Sequence, residues 1–538
     1  MTFLSVADWA VILLYLAAII ALGVWFSKDQ RNARDYFLGS KNIPWWGIGL
    51  SIVAAETSAL TIIGVPGMAY GSNLAFLQLI IGYVLARIIL AIVMVPHYLK
   101  GEIYSPYQLF ANAFGGATRQ TAAGFFLISE TLAAGVRVYV VCIPIQLMLG
   151  IDVLPAIIWF VVLSLLYTYV GGVKAVIWTD AAQLGLFLAG GIFTLWYILH
   201  LYDGGLAAVI DAGYRAGKLH WLNVFPASPG PITFSKAIHF LLEDPINLWM
   251  GIVGGTVMVM SSHGAEQLIV QRVLACKTVA DGRKALALSA VVIFPLFLIF
   301  LLIGAMLWVF YQKYPMQIDI PQPRPGIQKF DYIYPIFMLT AVPPVLKGFL
   351  VVAILSAAMS SVSSALTSLA SVSTMDFVKA WVGQGGALAQ RGHGESSRSE
   401  EWFLRFSKLS TVFWAGALIC VAYLSREVTF VLDAAFKLRG LTSGALLGGL
   451  LLAVLWKNGR GLPVIAGMLC SLAVMIVISP LVQANLPAAW PHLTVKIAFP
   501  WYTLIGTTVM LLVAGAVRLC SRGKHSVEAE KGVVRAPV

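Results

Sequence analysis

The stretch SIVAAETSALTIIGVPG, from Ser51 to Gly67, decides how the chain is read. It lies inside an apolar run long enough to cross a bilayer, yet it carries Ser51, Glu56, Thr57, Ser58 and Thr61 and ends in Gly64, Pro66 and Gly67. An ionisable side chain at membrane depth costs roughly 2.5–3.5 kcal/mol on insertion scales, so Glu56 needs a partner or a task. Gly and Pro at that depth deprive some carbonyls of helical donors. Such carbonyls are tolerated only against protein or a water-filled cavity. The stretch therefore predicts a broken, polar span whose backbone oxygens face an internal site.

The rest of the chain frames that span. Of 538 residues, 59% are hydrophobic and 11% are charged, against about 25% charged in soluble domains. Apolar runs of roughly 17–25 residues recur, the length that crosses a bilayer. The fold class expected is an all-α polytopic membrane protein with thirteen spans. They lie at about 6–26, 45–69, 74–99, 121–149, 154–170, 180–200, 245–262, 287–311, 346–371, 405–424, 429–455, 462–482 and 500–519. The first span follows Asp8 without a basic leader or cleavage site, so it is read as retained.

With the N-terminus outside, 23 Lys and Arg residues fall in inner loops and the tail, Arg272 among them, and nine fall outside. That bias predicts a cytoplasmic C-terminus in a plasma membrane. Four basic residues stay inside spans: Arg87, Arg137, Lys437 and Arg439. The organisation expected is a peripheral first helix (1–30), a first half (44–201), an outer loop (202–244), a second half (245–456), two peripheral helices (462–519) and a disordered tail (520–538). The outer loops at 202–244 and 312–345 are candidate lids. The inner segment 382–401 is Gly/Ser-rich and polar and is read as a flexible linker. The five cysteines are scattered and give neither a disulfide framework nor zinc spacing.

The spans at 45–69 and 245–262 are both glycine-interrupted and run in opposite directions. Paired broken spans in two halves predict an inverted-repeat transporter; glycines that merely let helices pack closely are the alternative. Ser356, Ser360, Ser361, Ser363, Ser364, Thr367, Ser368 and Ser371 crowd the stretch from Leu355 to Asp376, and Ser360, Ser363, Ser364 and Thr367 share a face. Uncharged oxygens of this kind suit a weakly held monovalent cation, whereas calcium or magnesium would want more carboxylates. The alternative is hydroxyls bonded back to their own helix. Asp180, at the head of its expected span, is either a helix cap or a second cation ligand. Glu130 and Arg137, seven residues apart, share a face. They form an internal ion pair, or Arg137 grips a solute carboxylate. Arg87 snorkels or pairs with Glu56. His263 is read as a helix-end residue. No HExxH, GxSxG or phosphate-binding loop is present, so no enzyme chemistry is indicated.

Five ordered motifs carry a resemblance: RDYFLGSKNIPWW (34–46), SIVAAETSALTIIGVPG (51–67), GGVKAVIWTD (171–180), EQLIVQRVLACK (266–277) and AAMSSVSSALTSLASVSTMD (357–376). Together they resemble the sodium:solute symporter family of sodium/glucose, sodium/proline and sodium/sialic acid carriers. The resemblance implies a five-plus-five inverted-repeat core and alternating-access import of a small solute. Sodium is the coupling ion. No organic cofactor and no nucleic-acid partner is implied. By motif matching the main sodium site falls on the carbonyls of Ala54, Thr57 and Ala357 and the hydroxyls of Ser360 and Ser361. A second sodium site falls on Asp180, Ser360, Ser363 and Ser364. Candidates for solute contact are Glu56, Ser58, Thr61, Tyr83, Arg137, Ser262 and Lys437. Thr61, Ile80 and Ser262 stand where sugar carriers place a Gln, a Glu and an inner-gate Tyr, which weighs against sugar. Arg137 is similar in placement to the arginine that holds the acid group in sialic acid carriers. A carboxylate-bearing solute is thus expected, with a neutral-solute carrier and a transporter-like solute sensor as alternatives.

Overall fold

The computed structural model describes residues 4–27, 41–58, 60–100, 103–226, 231–244, 246–322, 328–379, 396–427, 431–456, 459–479 and 497–532. These residues are helical with no strand among them. Each expected span has a helical counterpart.

Helix α1 (Val6–Ser27) is followed by α2 (Trp45–Glu56), which stops where the sequence predicts a break. Thr57 is extended, with φ −79° and ψ 107°. The chain then enters a π turn, Leu60–Gly64, and helix α3 (Val65–Gly71), bent 59° from α2. The break has a local cause. The Leu60 N–H donates to Ser58 Oγ at 3.2 Å, so a side chain takes over the role of a helical acceptor. Pro66 is accommodated in the first turn of α3, where its missing N–H costs nothing.

Helix α4 (Leu77–Val93) and the long α5 (Gly116–Leu149) complete the next two spans. The expected spans 154–170 and 180–200 instead run as one unbroken helix, α6 (Val153–Leu201). Its apolar parts are Val153–Leu166 and Val173–Leu201. Gly171 and Gly172 lie inside it and do not end it. Asp180 is therefore mid-helix, and its reading as a cap is corrected.

A second interruption lies at Met250–Gly255, a π turn that leads into α7 (Thr256–Gly264). Its glycines serve close packing. A Cβ on Gly255 would sit 2.8 Å from Leu79 Cδ1, and one on Gly254 would sit 2.9 Å from the Pro500 carbonyl. Helix α8 (Gln267–Leu274) follows, buried along its whole length, and then α9 (Val279–Lys313). Arg272, expected in an inner loop, is in α8 and only 1% exposed.

Helix α10 (Leu346–Val372) is the serine-rich span and is enclosed by protein over most of its length. Its N-terminus is capped from α1: the amides of Val345 and Gly348 donate to Asp8 Oδ1 at 2.8 and 2.9 Å. A carboxylate there answers the exposed N–H groups and the helix dipole together. Helices α11 (Ser396–Leu424), α12 (Val431–Leu455), α13 (Gly461–Ile478) and α14 (Pro500–Gly532) finish the chain.

Two boundaries differ from expectation. Residues 396–401 of the expected linker begin α11, and the rest of that linker lies outside the described residues. Helix α14 continues to Gly532, into the expected disordered tail, where Ser526–Lys531 is rich in the helix formers Glu, Ala and Lys; residues 533–538 lie outside the described residues. Exposed Leu13, Trp159, Val291, Phe413 and Leu512 dot the outer surface, as a lipid-facing boundary requires.

Both long loops send a residue to the end of the broken span. Lys218 donates to the carbonyls of Tyr70 and Ser72 at 2.7 and 2.9 Å, a cation at the C-terminus of α3. Phe330 packs on Tyr70, and a Cβ on Gly67 would lie 2.7 Å from the Phe330 carbonyl.

Candidate functional site

The break after Glu56 leaves the last-turn carbonyls of α2 without the donors a further turn would supply. Ala54 is one of them, and Thr57 follows directly. Thr57 Oγ1 is buried with no hydrogen-bond partner. Helix α10, which packs against α2, carries the hydroxyl ladder. Ser361 Oγ donates to Ala357 O at 3.0 Å, Ser363 and Ser364 donate to Ser360 O at 3.0 and 2.7 Å, and Thr367 donates to Ser363 O at 2.7 Å. These hydroxyls are satisfied by their own helix, yet each keeps acceptor lone pairs that a cation can use.

One carboxylate ties the two helices together. Asp180 on α6 accepts from Ser51 Oγ of α2 at 2.6 Å and from Ser360 Oγ of α10 at 2.5 Å. The broken span and the serine span thus meet on a shared buried anion. Sequence reasoning named Asp180 and Ser360 but missed the fourth member. Arg272 of α8 donates to Asp180 Oδ2 at 2.7 Å, to Ser51 Oγ at 2.8 Å and to Ser364 Oγ. Of the expected second sodium set, Asp180, Ser360 and Ser364 are brought together, but around a guanidinium. Ser363 bonds only within α10. The signal for Arg272 was present in the EQLIVQRVLACK motif, where a loop-charge count assigned it to the inner surface.

A small cavity of about 60 Å³ opens beside Glu56. It is lined by Glu56, Tyr83, Arg137 and Ser262 from the expected solute set, together with His263, Glu266 and Arg439. The other expected residues lie off it. Ser58 and Thr61 are buried in the turn after the break, and Lys437 is half-buried on α12. At about 15 Å³ per water, the cavity has room for a few water molecules.

Its charges are arranged in pairs. Arg87 pairs with Glu56 and also donates to Ser289 Oγ at 3.1 Å, so it does not snorkel. His263 Nε2 stands 3.4 Å from Glu56 Oε2 and 3.1 Å from Arg87, which gives this histidine a place in the site. Arg137 forms the expected ion pair with Glu130 and also lines the cavity. Arg439 Nε donates to Glu266 Oε1 at 2.8 Å. Glu266 was missed, because its position at the head of a motif carried no spacing to Arg439, 173 residues away.

Comparison with known proteins bears on the same elements. The profile of the sodium:solute symporter family matches residues 36–470. The chain belongs to the sodium:solute symporter family. Within that family it is 28% identical to the sodium/sialic acid symporter SiaT of Proteus mirabilis, over 87% of this chain and 88% of that protein. It is 26% identical to the human sodium/iodide cotransporter, over 87% of this chain and 69% of that protein. The sodium/glucose cotransporter of Vibrio parahaemolyticus is 28% identical, over 70% of each chain. Among solved structures, a Na⁺-coupled sialic acid symporter in a substrate-bound, outward-open state superposes with a TM-score of 0.78, at 23% identity, over 96% of this chain and 98% of that one. MHP1, a nucleobase-cation-symport-1 family transporter, gives 0.54 at 13% identity, over 91% and 95%. These likenesses establish the family and a sodium-coupled transporter fold for this symporter-family chain.

Proposed function

We propose that this family member is a sodium-coupled symporter that imports a small carboxylate-bearing solute by alternating access. The observation that carries the reading is the placement of Arg137. Its guanidinium faces the cavity that abuts the end of α2 at Glu56, so solute and broken span share one wall. Arg offers a planar fork that matches a carboxylate bidentately.

The main sodium site is assigned to the carbonyls of Ala54, Thr57 and Ala357 and the hydroxyls of Ser360 and Ser361. The break supplies unpaired carbonyls, and the Asp180 link to both Ser51 and Ser360 supports the proximity of the two helices. Sodium entering there draws α2 and α10 together and fixes the wall that carries Glu56. A second sodium at Asp180, Ser360, Ser363 and Ser364 requires Arg272 to release the carboxylate. With Arg272 bound, the charge a second sodium would neutralise is already balanced, so we assign one sodium to this arrangement. One charge moving down 100 mV releases about 2.3 kcal/mol.

The five-plus-five repeat is assigned to residues 44–201 and 245–456, with the two apolar parts of α6, Val153–Leu166 and Val173–Leu201, counted as separate spans. The N-terminus is placed outside and the C-terminus in the cytoplasm, on the Lys and Arg bias of the loops. Proteoliposomes containing only this protein test the reading: a carboxylate solute should accumulate under an inward sodium gradient and not under potassium. Accumulation without sodium would refute the coupling.

A further inference from the structure

The loop between α6 and the second break carries a helix that transport itself does not use. It is FSKAIHFLLE, Phe234–Glu243, ten residues long. Its start is capped, with the Lys236 N–H donating to Thr233 Oγ1 at 3.4 Å. Isolated helices shorter than about 12–15 residues are marginal in water, so this one needs a surface to lie on. Protein does not supply that surface, because none of the ten residues is buried. The other helix of the same loop, Gly205–Arg215, does bury Val209 and Gly213.

The helix has two faces. Phe234, Ile238 and Leu242 are spaced four apart and share one side. Phe234 is 82% exposed, and Ile238 and Leu242 are exposed with it. Ser235, Lys236, His239 and Glu243 lie on the other side, where they line a hollow with the loop residues Asn223 and Phe225. A helix resting on protein in water turns its apolar side in and its polar side out. Here the polar side borders the loop and the apolar side is the open one.

The C-terminal end is fastened at the level where two spans begin. The Ala498 N–H donates to Leu242 O and Trp501 Nε1 donates to Leu241 O, both at 2.7 Å. The membrane-crossing part of α14 starts between them, at Pro500. Asn247 Nδ2 donates to Phe240 O at 2.9 Å, and Asn247 Oδ1 accepts from the N–H of Met250, the first residue of the second break, at 2.8 Å. Trp249 donates its indole N–H to Val224 O at 3.1 Å and leaves its ring 46% exposed. A bonded indole N–H with an open ring suits the boundary between membrane and water. Val253, one turn further into the span, is also exposed. The open apolar side of the helix therefore meets the lipid-facing surface at its edge.

We propose that Phe234–Glu243 is an interfacial helix, with its Phe234–Ile238–Leu242 side lying among the headgroups and upper acyl chains of the bilayer. Through Asn247 and Trp501 it ties the heads of the second broken span and of α14 to the membrane surface. This seat in the bilayer is independent of the solute and of the coupling ion.

The test uses the full-length protein in phospholipid nanodiscs, with the exposed Cys420, Cys470 and Cys520 replaced by serine. Single cysteines, Ile238→Cys or Lys236→Cys, carry a nitroxide label. Collision with oxygen, which concentrates in lipid, is compared with collision with a water-soluble nickel chelate. The Ile238 label should show an oxygen-to-nickel ratio several-fold above that of the Lys236 label. Its depth, calibrated with lipids labelled at known positions, should be roughly 5–10 Å into the headgroup and acyl boundary. Phe234→Cys, one turn earlier, should match Ile238→Cys and decides where that variant does not fold. Nickel-accessible labels at all three positions would put the helix in water and overturn the proposal. Labels at Ile238 and Phe234 shielded from both reagents would show protein covering that side, the loop or a second copy, and would overturn it equally. A Lys236 label as rich in oxygen as the Ile238 label would overturn the assignment of the two faces.

Discussion

Arg272 and Asp180 lie 2.7 Å apart in the buried centre of the protein, with Ser51 and Ser360 bonded to the same carboxylate. Four helices, α2, α6, α8 and α10, therefore converge on one ion pair. Removing one member of such a pair leaves an uncompensated buried charge, a loss of about 3–5 kcal/mol. Arg272→Gln and Asp180→Asn should each lower the unfolding temperature in detergent sharply. The double variant should lose clearly less than the sum of the two. Additive losses would show that the two residues act independently.

The same pair bears on stoichiometry. While Arg272 holds Asp180, a single sodium is expected, and sodium activation of uptake should follow a Hill coefficient near one. A coefficient near two, abolished by Asp180→Ala, would show that Arg272 leaves the carboxylate during transport.

Arg137 separates charge from shape. Arg137→Lys keeps a cation opposite Glu130, so protein level should hold, but it loses the planar fork. Uptake of a carboxylate solute should fall at least tenfold, about 1.4 kcal/mol. Unchanged uptake at normal protein level would remove the guanidinium from the solute site.

The second break depends on backbone contact. A Cβ at Gly82 would stand 2.6 Å from Thr256 N, and a Cβ at Gly251 would stand 2.7 Å from the Gln78 carbonyl carbon. Neither neighbour is a flexible side-chain tip. Gly82→Ala and Gly251→Ala should each destabilise the protein by about 1–3 kcal/mol, as overpacking does. Gly185→Ala, which meets nothing within 4 Å, is the control and should be neutral.

Local features were legible in the sequence. The break at Thr57 follows from Ser58 and the Gly/Pro run, and the burial of α10 follows from its small hydroxyl residues. The Glu130–Arg137 pair was readable because both residues sit on one helix face. Partnerships across the fold were not. Asp180 meets Arg272 across 92 positions and Glu266 meets Arg439 across 173, separations with no periodic signal. Arg272 was assigned to the inner surface because loop-charge counting cannot distinguish a cation at a membrane face from one drawn into the core by a buried carboxylate. The spans 154–170 and 180–200 were expected to be separate, and the chain runs through both as α6.

The central claim is a sodium ion held between the α2 break and the α10 hydroxyls. Equilibrium binding of radioactive sodium to the purified protein measures it without knowledge of the solute. The account predicts saturable binding that unlabelled sodium displaces and potassium does not. Ser361→Ala should weaken it about tenfold, roughly 1.4 kcal/mol, with the unfolding temperature in sodium-free buffer unchanged. Saturable sodium binding that is indifferent to Ser361→Ala, or no saturable binding at all, would contradict it.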